Sequence, residues 1–147
     1  MTKILISMLF LIGSGTSAFA QCDQKVIWTA PKAEFADEAG NVQETKDVTV
    51  IIRTNRKEIK ITHSDDETDT LQGLIKEFNC DWKEAFKTGK TVMKVDLSDR
   101  NSQMMNSVIT IEAKDSKISV SILAQAPDGT KKLIKIPVDN YKIEEGH

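Results

Sequence analysis

Three apolar runs near the C-terminus constrain this chain more than anything else in it. Ile109, Ile111 and Ala113 alternate with polar residues, as do Ile118, Val120 and Ile122, and then Ile134, Ile136 and Val138. Alternation with period two is the pattern of a half-buried strand. The turns between the runs can be tested by register, because a one-residue slip sends every side chain to the other face. A two-residue loop at Asp115-Ser116 sets Ala113 against Ile118, Ile111 against Val120 and Ile109 against Ile122. A three-residue loop at Pro127-Asp128-Gly129 sets Ile122 against Ile134 and Val120 against Ile136. Proline presets such a turn and glycine takes positive φ. Both loops yield the same apolar face, so the two hairpins belong to one antiparallel meander. Met93, Val95 and Leu97 form an earlier strand of the same kind. The opposite face carries Lys94, Asp96, Thr110, Glu112, Ser119, Ser121 and Lys135. A sheet dry on one side and wet on the other is antiparallel rather than parallel.

The same test applies upstream. Val48, Val50 and Ile52 fold onto Ile59, Ile61 and His63 about Asn55-Arg56, keeping both apolar sets on one face. Lys25 to Phe35 reads as a further strand, at an edge or broken at Pro31, followed by a turn at Asp37–Asn41. About half of the apolar residues after position 20 are Val or Ile, which favours strands throughout.

One stretch has a different period. Leu71, Leu74, Ile75, Phe78, Trp82, Ala85 and Phe86 recur at spacings of three and four, which predicts a helix over residues 69–88. Thr68 or Asp69 would cap it and Gly89 would end it. Gly73, Asn79 and Asp81 argue against an unbroken helix. It could break near Cys80 into two, or begin as a strand.

The expected fold is therefore mainly β. It is an antiparallel meander forming a small barrel or strongly curved sheet, with one central helix. A two-layer α+β arrangement, with the helix across one antiparallel sheet, is the alternative. The strand order is similar in outline to the calycin or lipocalin meander. A lipocalin carries Gly-x-Trp on its first strand, whereas Trp28 follows Val26-Ile27, so the resemblance is one of architecture.

The 147 residues divide into a leader and one domain. Lys3, the apolar run Ile4–Ile12 and Ala18-Phe19-Ala20 have the form of a signal peptide over residues 1–20, cleaved before Gln21. The apolar run is too short to span a bilayer, and no later stretch is apolar enough. The signal is bacterial in style and places residues 21–147 in the periplasm or medium, as a single β-rich domain. Two cysteines follow it, and in an exported chain Cys22 and Cys80 are expected to form a disulfide.

Charge and motifs exclude more than they assign. The whole chain carries −2, with 20 basic and 22 acidic residues and no basic stripe. That profile does not suit nucleic acid. No G-x-S-x-G, H-E-x-x-H, C-x-x-C or phosphate-binding glycine loop is present, and no cofactor motif. The chain reads as a non-enzyme. His63, Asp65 and Asp66 are weak candidate metal ligands, in an acidic run without EF-hand glycine or spacing. Asp96-Leu97-Ser98-Asp99 reads as a strand end rather than a calcium site.

Two functions remain. A small exported binding protein would hold a small apolar ligand against Val50, Ile52, Ile61, Met93, Val95, Ile111, Val120 and Ile136. An interaction or inhibitor-like module would bind an envelope protein. Met104 and Met105, in the polar connection Ser98–Ser107, are its candidate contacts, because methionine suits adaptable surfaces.

Overall fold

A computed structural model describes residues 21–64 and 66–144. Residues 1–20, where a leader and its cleavage site are expected, lie outside the described residues, as do Asp65 and residues 145–147. Among the described residues, a single 3-10 turn, Gln21–Asp23, is followed by eleven strands. These are β1 (Lys25–Ala30), β2 (Ala33–Ala36), β3 (Val42–Lys46), β4 (Val50–Thr54), β5 (Glu58–His63) and β6 (Asp66–Glu84). Then come β7 (Thr88–Ser98), β8 (Met104–Lys114), β9 (Lys117–Gln125), β10 (Lys131–Val138) and β11 (Asn140–Glu144). All belong to one antiparallel sheet, in the order β11-β1-β4-β5-β6-β7-β8-β9-β10-β2-β3. Its end strands, β11 and β3, are not paired with each other, so the sheet is not closed through them.

Two interruptions shape this sheet. Pro31 can donate no ladder bond, and the first strand breaks there into β1, beside β4, and β2, beside β10. The last strand breaks at Asp139 into β10 and β11. The two ladders that join these halves hold one register: Lys25 faces Glu144 and Thr29 faces Asn140, then Glu34 faces Lys135 and Ala36 faces Leu133. The Asp139 N–H donates to the Thr29 carbonyl at 3.1 Å where the halves meet. The dry faces of β1, β4, β5, β7, β8, β9 and β10 pack into a single core. A sheet whose distant strands share one core must curl around it.

The meander follows the expected register. Ala113 faces Ile118, Ile111 faces Val120, and Ile122 faces Ile134. Asp115 and Ser116 have φ of 52° and 64°, as a two-residue hairpin turn with matching twist requires. Three longer turns share one design. In Asp37–Asn41, Asp99–Gln103 and Ala126–Thr130 the first N–H donates to the last carbonyl, and the fourth N–H to the first carbonyl. The fourth residue has positive φ each time: Gly40, Ser102 and Gly129. The middle turn shortens the long connection expected around Met104-Met105, both of which begin β8.

Two expectations are corrected. The first hairpin turns one residue later than expected, with Val50 facing His63 and Ile52 facing Ile61. Asn55 decides this, because its side-chain Oδ1 accepts the N–H groups of both Lys57 and Glu58 and nucleates the turn there. The partners shift by two residues, so the faces are unchanged.

The larger correction is the central helix, which does not exist: residues 66–84 are one long strand. Leu71, Gly73 and Ile75 alternate inward, and so do Phe78, Cys80 and Trp82. Between the two sets the register with β7 slips at Ile75/Glu77, and again at Trp82/Glu84. A β-bulge inserts one residue and reverses the alternation. Two period-two runs joined by a bulge therefore produce the three-residue spacing Ile75–Phe78, which imitates a helix. Leu74, assigned to the helix stripe, instead points out of the sheet.

Candidate functional site

The interior leaves little room for a ligand. The eight candidate lining residues are all buried, none more than 4 % exposed, and all belong to the packed core. Two of them, Met93 and Ile111, reach a cavity of about 20 Å³ shared with Trp28, Trp82 and Phe86. That is about the space of one water molecule.

Aromatic rings fill the same end of the core. Phe86 lies 5.3 Å from Trp28, 5.4 Å from Trp82 and 5.0 Å from Tyr141, centroid to centroid. The first two contacts are edge-on, the preferred arrangement of aromatic quadrupoles. The Trp82 indole N–H donates to Thr91 Oγ1 at 2.9 Å, and that of Trp28 to Thr54 Oγ1 at 3.0 Å. Both buried tryptophans thus satisfy their one polar atom. The Cys22–Cys80 disulfide, with Cα atoms 6.0 Å apart, ties the N-terminal 3-10 turn to β6 beside this cluster. Closing a loop of 58 residues restricts the unfolded chain by about 4 kcal/mol in the chain-entropy account.

The outer face is different. Where β6 bends past β7, the backbones approach so closely that a Cβ on Gly73 would lie 2.2 Å from the Asp96 carbonyl oxygen. The bend and the following bulge leave an outward groove of about 710 Å³ between β5, β6, β7 and the start of β8. Leu74, 71 % exposed, and Met104, 50 % exposed, supply its apolar surface. Glu58, Lys60 and the Lys76–Asp96 ion pair form a rim of both signs. A second depression of about 350 Å³ shares Lys76 and Asp96 with the first and continues over Val108 and Leu123. Val108 faces Leu123, Leu123 faces Leu133, Leu133 faces Ala36 and Ala36 faces Val42. An apolar row therefore crosses five strands on the outer side.

Of the two interaction candidates, the structure places Met104 in this groove. Met105 turns inward and packs against the core. Leu74, Val108, Leu123 and Leu133 were missed. Their signal is visible once the strands are known, since each is an apolar residue whose outward neighbours along its own strand are polar.

Of the weak metal candidates, Asp65 lies outside the described residues, and His63 faces Asp66 across the β5–β6 ladder. His63 Nε2 lies 3.5 Å from Asp69 Oδ2. The Thr68 hydroxyl and backbone N–H both donate to Asp66 and hold its carboxyl below the usual carboxylate range. Arg100 adds a cation 3.7 Å away. Among the described residues no three of His, Cys, Asp and Glu come together as a metal site, and no helix is long and apolar enough to cross a membrane. No family model, curated protein or solved structure matches the chain.

Proposed function

We propose that this chain is an exported, non-enzymatic protein-binding module that acts through the outer face of a filled β-barrel. Barrel closure is supported by the single register that runs through β1–β11 and β2–β10. Export is supported by the leader pattern of residues 1–20 and by a disulfide, which persists in oxidising compartments. The observation that carries the functional reading is the contrast in apolar placement. The inner face is filled, while Leu74, Met104, Val108 and Leu123 expose apolar surface around connected grooves. An apolar floor within a rim of mixed charge has the anatomy of a protein interface. The partner is an envelope or extracellular protein that offers an apolar side chain to the groove. This reading takes precedence over the apolar-ligand carrier, whose candidate lining residues are packed in the core beside a cavity of about 20 Å³.

The test is photocrosslinking from the groove in the native compartment. A crosslinker at Leu74 or Met104 should give one discrete protein adduct, and one at Lys117, at the far end of β9, should not. Equal labelling from all three positions would contradict a dedicated groove.

A further inference from the structure

The second surface is an edge. β3 is paired on one side only, with β2, and all five of its residues are exposed. Such an edge presents unpaired N–H and C=O groups to any strand that can align with it. We infer that β3 pairs antiparallel with β3 of a second copy, extending the sheet across a two-fold axis.

The charges along the strand select this partner. A two-fold axis perpendicular to a sheet keeps its faces, so each residue must meet one of the same alternation. Glu44 faces Phe35 and Lys46 faces Ala33 across β2, which puts both charges on one face. Lys46 Nζ sits 5.2 Å above the Phe35 ring on that side. Pairing centred on Glu44 would set two carboxylates against each other. Pairing centred on Thr45 sets Thr45 against Thr45, and Glu44 against Lys46 twice. Opposite charges and paired threonines directly across a ladder both stabilise it. The same register leaves Val42, the last member of the outer apolar row, close to the junction. At the other end of the sheet, β11 is likewise an edge, paired only with β1, and its half-exposed Tyr141 rests against Trp28 and Phe86.

Sedimentation velocity of the purified chain over a dilution series tests this without reference to the groove. A reversible dimer is expected. Glu44→Lys and Lys46→Glu each replace two attractive pairs by two repulsive ones and should weaken it roughly tenfold or more. The double variant E44K/K46E restores complementarity and should recover the dimer. An equimolar mixture of the two single variants should form a heterodimer. Circular dichroism of each variant confirms that the sheet is kept. A chain that stays monomeric at every concentration, or a dimer indifferent to both reversals, overturns the inference: Glu44 and Lys46 then act as edge charges that prevent pairing. Neither result bears on the groove.

Discussion

The two sides of β8 and β9 both carry branched aliphatic side chains, and these serve different ends. Ile109, Ile111, Val120 and Ile122 face inward and are at most 3 % exposed. One residue along, Val108 and Leu123 face outward at 37 % and 40 %. Burial of an apolar side chain is worth about 1.5–3 kcal/mol, and the inner set collects that in full. The outer set collects only part of it, in a sheet whose other outward positions are largely polar. On the proposed reading, this apolar area beside a groove serves association rather than folding.

That difference predicts graded responses. Ile109→Ala should cost about 2–5 kcal/mol in denaturant unfolding, since it opens a cavity in a filled core. A cost near zero would mean that the inner face is not tightly packed. Gly73→Ala should cost about 1–3 kcal/mol, because the new methyl group meets the Asp96 backbone rather than a flexible side chain. It should also reshape the groove, so loss of crosslinking from Leu74 would accompany the loss of stability. Leu123→Ala should change stability by no more than about 0.5 kcal/mol while reducing the adduct formed in the groove. If Leu123→Ala proved as destabilising as Ile109→Ala, the contrast between the faces would be lost.

Legibility in the sequence follows the same physics. The meander could be read to the residue because Asp115-Ser116 and Pro127-Asp128-Gly129 fix loop length chemically and both loops lead to one face. The disulfide was legible from cysteine count and compartment. The β4–β5 turn was misplaced because Asn55 was counted within the loop, when its side chain begins it. A bulge leaves no compositional mark: Lys76 and Glu77 look like ordinary surface residues, yet the slip between Ile75 and Glu77 converts a period of two into an apparent period of three. The groove was illegible for the same reason. It lies along β6 at Gln72–Leu74, beside the close approach to β7 and the slip at Ile75/Glu77, so a helix over these residues gives no place for it. Met104 stands out as an apolar residue in a polar stretch, whereas Val108 and Leu123 adjoin the inward Ile109 and Ile122 and merge with the signal of the dry face.

The central claim is that the interior is solid and the outer face is the working surface. Native mass spectrometry of the gently purified chain, with thermal melting in the presence of a long-chain fatty acid, tests it most directly. The account predicts the bare mass of the chain or its dimer, with no co-purified lipid and an unchanged melting temperature. A bound apolar molecule that raises the melting temperature, and is lost on Met93→Trp, would contradict it and return the function to the interior.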